Sequence, residues 1–171
     1  MANFGLIGKN IAYSFSQKYF TEKFKKEKLA HSYRNFDIIT LAVFKKIVQE
    51  ETSLKGLNVT IPYKEEIIPY LDNLDQQARI IGAVNTIKFL EDGTLVGYNT
   101  DHYGFSRSLA SYPTPKRKTA LILGHGGASK AIKYALEGLG YCCTIVSRSK
   151  TKDTITYKPV SYTHLRAHET F

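Results

Sequence analysis

Leu54-Lys55-Gly56-Leu57-Asn58-Val59-Thr60-Ile61-Pro62-Tyr63-Lys64 is an apolar run that breaks into a Thr-x-Pro turn and ends on a lysine. The run from Leu54 to Val59 has the composition of a buried strand, and a helical pattern follows the turn. This predicts Lys64 in the first turn of a helix, just beyond a strand's carboxyl end. Pro62 suits that place, because its fixed φ matches a first helical turn and its missing N–H is not needed there. Ligands of open α/β sheets collect at the carboxyl ends of strands. A lysine held there can move protons, although by itself it is equally a solvated helix start.

The pattern extends outward on both sides. Phe4 to Ile7 is predicted as a strand closed by Gly8, and Lys9 to Ser16 as a polar loop. A helix follows to about Leu29, with Phe20 and Phe24 at helical spacing. His31 to Ile38 alternates as a strand does. Thr40 is placed to cap a helix with Leu41, Phe44, Ile47 and Val48 on one face. Short helical pieces come after Lys64, with Asp72 or Asn73 as a cap. Ala83 to Leu90 and Thr94 to Tyr98 form a hairpin across Glu91-Asp92-Gly93. Helix-linked strands imply a mainly parallel sheet, so this is a β-α-β-α-β unit plus a hairpin. His102 to Ser111 is a predicted helix capped by Thr100 or Asp101, and Ser111 to Lys118 is a Pro-rich, charged linker.

A second module opens with the apolar strand Thr119 to Leu123. Gly124-His125-Gly126-Gly127-Ala128-Ser129 follows at once, then a helix from Lys130 to Leu139 and a strand from Tyr141 to Val146. Two glycines of a dinucleotide fingerprint lie between strand and helix, the setting in which that motif is informative. Glycine there permits a tight turn and close approach of the backbone to a pyrophosphate at the helix N-terminus. The other reading is a plain turn of an α/β sheet. An NAD site puts an acidic residue at the end of the next strand. This chain has Ser147, Arg148, Ser149 and Lys150 there, which favours a 2′-phosphate and hence NADP over NAD.

Composition narrows the classes. A chain of 171 residues with 43% hydrophobic and 23% charged residues can bury a core, in one domain or two small ones. No apolar run approaches the length of a bilayer span, and Met1 to Gly8 is too short and strand-like for a secretory leader. Cys142 and Cys143 are adjacent, so in a strand they face opposite ways and make a poor disulfide and a poor metal site. No metal is expected, and free thiols point to the cytoplasm. The net charge of +9 comes with lysines spread along helical segments, without an aromatic-basic or helix-turn-helix pattern. That favours solvated faces and small anionic ligands over nucleic acid.

Polar clusters recur after the first-module strands: Ser14-Phe15-Ser16, Thr60 with Lys64, Asn85-Thr86 and Asn99-Thr100-Asp101. Hydroxyls, an amide, an ammonium and a carboxylate suit a small polyhydroxylated acid. Singly, each is a cap or turn residue as readily as a ligand contact.

Together these stretches resemble the shikimate dehydrogenase family. The matching segments are Ser14-Phe15-Ser16, Asn58 to Lys64, Gly82-Ala83-Val84-Asn85-Thr86, Asn99-Thr100-Asp101, Gly124 to Ser129 and Ser147-Arg148-Ser149, spanning the chain to about Pro159. The resemblance implies NADPH-dependent, reversible reduction of 3-dehydroshikimate to shikimate in the chorismate pathway of aromatic amino-acid biosynthesis. It implies Lys64 and Asp101 as the catalytic pair, and Ser14, Ser16, Thr60, Lys64, Asn85 and Asp101 as substrate contacts. It further implies Gly124, His125, Gly126, Gly127, Ala128 and Ser129 at the pyrophosphate of NADP(H), with Ser147, Arg148 and Ser149 at its adenosine phosphate. Ser147 and Ser149 depart from the family's usual Asn-Arg-Thr, and both substitutes carry a hydroxyl, so the departure bears on affinity.

The expected architecture is α/β. Residues 1–101 would be a three-layer substrate domain with a mainly parallel sheet, and 102–118 a connecting helix and linker. Residues 119–160 would be an incomplete Rossmann-like NADP-binding domain and 161–171 an atypical tail. A full dinucleotide domain needs two mononucleotide-binding halves. Only some twenty residues follow Ser149, so a truncated carboxyl end is expected, lacking the family's Gln-bearing closing helix. Shikimate or 3-dehydroshikimate is the expected partner, with no nucleic acid and no membrane, and a homodimer is left open. The alternatives are a quinate/shikimate dehydrogenase, or a non-catalytic remnant that binds substrate or nucleotide weakly.

Overall fold

Successive residues of a strand face opposite sides of a sheet, and the first strand divides its apolar residues accordingly. In the computed structural model, which describes residues 1–152 and 154–157, strand β1 spans Ala2–Gly8. Leu6 packs on one face with Ile11 and Tyr33, against Phe4, Phe20 and Phe24. Ile7 enters the larger core on the other face with Phe36, Phe44, Leu57, Val59, Ile67 and Ile87. The chain divides into two compact units, the first Met1–Thr100 and the second beginning at Asp101.

In the first unit β1 is followed by α1 (Ser16–Lys26), β2 (His31–Asp37), a 3-10 turn (Leu41–Val43), α2 (Phe44–Glu50) and β3 (Leu54–Val59). A 3-10 turn (Ile68–Tyr70), β4 (Asn73–Leu74), α3 (Gln76–Ile81), β5 (Thr86–Phe89) and β6 (Leu95–Tyr98) complete it. The sheet order is β2-β1-β3-β5-β6-β4. The first three strands are parallel as expected, β5 runs antiparallel to both β3 and β6, and β4 is parallel to β6. The sheet is therefore mixed, and its hairpin reverses direction in the middle. α1 packs on one face and α2 on the other. Three layers follow from amphipathic helices covering a sheet that is apolar on both sides.

Local expectations fail where tertiary bonds compete with propensity. Residues 61–67 form successive turns, so Lys64 does not sit in a regular helix. The Tyr63 amide donates to the Thr60 carbonyl at 2.9 Å, and the enclosed Ile61–Pro62 peptide is cis, the arrangement of a turn with proline in its third position. Neither Asp72 nor Asn73 caps a helix. Asp75 caps α3 by accepting from Ala78 N at 2.8 Å. Asp72 instead joins the sheet, accepting from Leu95 N at 2.7 Å, and Asn73 pairs with Val96. Thr40 caps the 3-10 turn, not α2 itself.

The second unit contains α4 (Asp101–Leu109), β7 (Thr119–Leu123), α5 (Gly127–Gly138), β8 (Cys142–Ser147) and β9 (Thr154–Thr156). Its strands are parallel in the order β7-β8-β9. Ile122, Leu136 and Ile145 form its small core, with Phe105 and Leu109 packed against them. α5 starts at Gly127, three residues before the expected Lys130, so half the glycine motif forms its first turn. The expected tail, residues 161–171, lies outside the described residues.

Candidate active site

The direction of each strand decides which loops meet. β5 is antiparallel to β3, and β6 is antiparallel to β5, so β6 runs with β1 and β3. The carboxyl ends of β1, β3 and β6 and the amino end of β5 therefore share one edge of the sheet. Ser14 and Ser16 follow β1, Thr60 and Lys64 follow β3, Asn85 precedes β5, and Thr100 follows β6. Four clusters separate in sequence are gathered by topology. Asp101 comes directly after Thr100, as the first residue of α4.

Backbone bonds pin these loops to the strands. Thr60 N donates to Ile7 O at 2.9 Å, Lys9 N to Ile61 O at 3.1 Å and Ile38 N to Gly8 O at 2.9 Å. Gly8 has no room for a side chain, since a Cβ would lie 2.6 Å from the methyl carbons of both Ile11 and Thr60. Asp37, at the end of β2, holds the loop after β1: its carboxylate accepts from Asn10 N at 2.8 Å and from Ile11 N at 3.0 Å. Ser14 Oγ accepts from Ser16 N at 3.3 Å, closing a local turn just before α1, whose N-cap position Phe15 has no side-chain cap.

Lys64 is half-buried, and its carbonyl accepts from Val84 N at 2.7 Å. Its neighbour Tyr63 is buried and donates its hydroxyl to Ile38 O at 2.8 Å. Asn85 carries the next layer of order. Its carbonyl accepts from Val59 N at 2.8 Å and its amide donates to Tyr98 O at 3.0 Å, tying β3 to β6. Its side-chain oxygen accepts from Thr100 N at 2.9 Å and from the Thr86 hydroxyl at 3.1 Å. Asn99 is buried and donates to Ala83 O at 2.9 Å, which fixes the segment before Asn85. A buried carbonyl without a partner costs about 1–3 kcal/mol, so Asn99 is a structural necessity for the segment.

On the α1 face, Tyr33, Asn58 and Thr86 form a hydrogen-bonded row. Tyr33 Oη donates to Asn58 Oδ1 at 2.9 Å, and Asn58 Nδ2 donates to Thr86 Oγ1 at 3.4 Å. Burial pushes the Tyr33 phenol well above its ordinary value, and a hydrogen bond from the Ser16 side chain pulls it back in part. Beside this row lies a groove of about 450 Å³ lined by Phe20, Phe24, Tyr33, Asn58, Thr86 and Tyr98 among others.

In the second unit, Gly124 N donates to Val146 O at 2.8 Å, which sets the glycine motif beside the carboxyl end of β8. Gly124 has φ +118°, a conformation that favours glycine. Gly126 precedes α5 in an extended conformation with no side-chain cap, and a Cβ there would meet nothing within 4 Å. The start of α5 thus has no side-chain cap and open space beside Gly126, an arrangement that suits an anion at a helix N-terminus. His125 and Ala128 are exposed, while Gly127 and Ser129 are half-buried in that turn. Ser147 Oγ donates to Ser149 O, and Thr154 Oγ1 also donates to Ser149 O at 3.2 Å, so the serines shape the loop. Arg148 is exposed between them. The residues present fit a phosphorylated dinucleotide: an uncapped helix start, glycines with open approach, and a cation at the neighbouring strand end. Among the described residues no group of three or more His, Cys, Asp or Glu side chains is placed to hold a metal.

Asp37, Tyr33 and the Val84 amide are the residues that sequence reading assigned no role. Asp37 ends a strand, a signal that could mark a loop anchor. Nothing in the sequence pairs Tyr33 with Asn58, 25 residues apart.

The family described as shikimate dehydrogenase substrate binding domain matches residues 6–87. An NADP(+) shikimate dehydrogenase of Clostridium botulinum (strain Loch Maree / Type A3) is 43% identical over 159 residues, 90% of this chain and 60% of the relative. One from Aquifex aeolicus is 53% identical over 100 residues, 58% of this chain and 37% of the relative. The crystal structure of the Aquifex aeolicus shikimate dehydrogenase superposes with TM-score 0.80 at 41% identity, covering 89% of this chain and 57% of that one. The Thermus thermophilus enzyme in complex with NADP(H) and shikimate gives 0.78 at 33% identity, covering 87% and 57%. The chain therefore spans up to about 60% of the length of the curated relatives it matches.

Proposed function

The chain belongs to the shikimate dehydrogenase family, and from that premise we propose that its site serves the NADPH-dependent, reversible reduction of 3-dehydroshikimate to shikimate. The observation that carries the reading is the fixed position of Lys64. Its main chain is held to Val84, and the adjacent Asn85 is bonded to strands β3 and β6. The tether fixes the backbone from which the Lys64 ammonium extends at the shared strand edge.

NADPH, when bound, supplies the reducing equivalent, and Gly124 to Ser129 with Ser147, Arg148 and Ser149 would hold its phosphates. Lys64 gives its proton to the ketone oxygen and stabilises the charge that develops there. Asp101, the second member of the catalytic pair that the resemblance implies, accepts from a substrate hydroxyl. Ser14, Ser16 and Thr60 bind the carboxylate and ring hydroxyls, and Asn85 adds its amide. In this reading residues 1–101 are the substrate domain and residues 119–160 are part of an NADP-binding domain.

The reading places the protein in the chorismate pathway and in the cytoplasm. Among the described residues no helix is long and apolar enough to cross a membrane. No nucleic acid is part of this reading, since the basic side chains are dispersed. β2 is an edge strand of seven residues, where a second copy could pair to make a homodimer. The test is NADPH absorbance with 3-dehydroshikimate, and quinate in the reverse direction. The absorbance is expected to fall with 3-dehydroshikimate. No change, together with no thermal shift on adding shikimate, overturns the reading.

A further inference from the structure

We propose that Tyr33 is a positioning residue for substrate recognition: acting through Asn58 and Thr86, it sets the orientation of the Asn85 amide. The inference rests on the function proposed above and adds a residue lying two strands away from β3, beyond β1.

The argument is one of donor bookkeeping. A hydroxyl has a single proton to donate, and a side-chain amide has distinct donor and acceptor ends. Tyr33 donates to Asn58 Oδ1 at 2.9 Å, so the oxygen end of Asn58 faces Tyr33 and its NH2 faces Thr86. Thr86 Oγ1 accepts from that NH2, which turns its own proton toward Asn85 Oδ1, 3.1 Å away. Asn85 Oδ1 also accepts from Thr100 N at 2.9 Å. Its NH2 end donates to Thr100 Oγ1 at 2.9 Å, so Thr86 on one side and Thr100 on the other together hold the amide's orientation. The direction of donation at Tyr33 is thereby passed to Asn85 across β3 and β5.

The row is built to be stiff. Tyr33 is 6% exposed, and its ring stacks on Phe20 with centroids 4.5 Å apart. Asn58 and Thr86 are directly paired in the sheet, in register also with Tyr98. Without the Tyr33 hydroxyl, Asn58 can turn its amide over at small cost. Thr86 then has no fixed donor, and the orientation of Asn85 is no longer imposed from this side.

The test compares the parent chain with Tyr33→Phe, Thr86→Val and the double variant. Calorimetric titration with shikimate is expected to show Tyr33→Phe and Thr86→Val each weakened about five- to tenfold. The double variant should be no weaker than the weaker single one, because both cut the same chain. Unchanged affinity in Tyr33→Phe, or a multiplicative loss in the double variant, overturns the proposal. The side-chain NH2 resonances of Asn58 and Asn85 provide a reading that needs no ligand. Both are expected to move in Tyr33→Phe, and an unmoved Asn85 signal overturns the proposal whether or not shikimate binds. Absence of shikimate binding in the parent, with the Asn85 signal moved, counts against the proposed function and leaves the positioning chain standing. If Tyr33→Phe does not fold, Thr86→Val alone must move the Asn85 signal and weaken shikimate, and failure to do either sinks the proposal.

Discussion

The carbonyl of Lys64 accepts the backbone amide of Val84 at 2.7 Å. The bond joins the turn after β3 to the segment before β5, so the candidate proton donor and Asn85 are set by one piece of backbone. It uses main-chain atoms alone, which leaves the Lys64 side chain open to substitution without disturbing the tether.

Lys64→Ala is accordingly expected to fold and to bind shikimate within a few-fold of the parent. Its turnover should fall by about 10²–10⁴, the range for loss of a positioned proton donor. Steady-state rates with a parallel binding titration check this, and equal turnover removes Lys64 from the mechanism.

Gly126→Ala separates cofactor binding from folding. The residue is extended, and a Cβ meets nothing within 4 Å, so the melting temperature is expected to hold. The added methyl stands where a pyrophosphate must approach, so NADPH affinity should drop about tenfold or more. Fluorescence titration with NADPH reads the effect, and unaltered affinity would place the phosphates elsewhere.

Asp37→Ala removes the acceptor of the Asn10 and Ile11 amides. A stability loss of about 1–2 kcal/mol is expected from urea unfolding, because two donors lose a charged partner. Shikimate should bind more weakly as well, since the loop carries Ser14 and Ser16. A stability loss with unchanged affinity would show that the loop's order does not matter to the ligand.

Burial holds the Tyr33 phenol neutral above its ordinary value of 10.0. A group whose value is raised by folding contributes stability that is complete below the unfolded value and is lost as pH rises past it. The parent chain should therefore lose stability above about pH 10, and Tyr33→Phe should lose less over the same interval. Urea midpoints at about pH 8 and pH 11 decide it, and parallel losses in the two proteins count against a buried neutral phenol.

Periodicity and turn chemistry made the elements legible. The parallel strands β1, β2 and β3, the hairpin of β5 and β6, and the strand, glycine turn and helix of the second unit all carry local signals. The candidate site residues Ser14, Ser16, Thr60, Lys64, Asn85 and Asp101 stand in recognisable motifs as well. The segment 61–67 stops short of the helix its pattern predicts: Ile67 N donates to Tyr63 O at 2.9 Å in a single helical-type bond, but Ile68 N turns to Glu65 O at 3.3 Å, three residues back, and no regular ladder develops. Asp72 has the composition of a helix cap, but its carboxylate serves a strand 23 residues away.

The sequence by itself determined which residues could do chemistry and that each lies near a strand end. Alternation, capping and turn preferences act over a few residues and leave their mark in composition. The tertiary structure decided that the ends of β1, β3, β5 and β6 share one edge, because strand direction is settled by pairing between distant segments. It also decided that Val84 fixes Lys64 and that Asp37 and Tyr33 order what surrounds it. Those bonds join main-chain or side-chain atoms far apart along the chain, and no local pattern encodes such a partner.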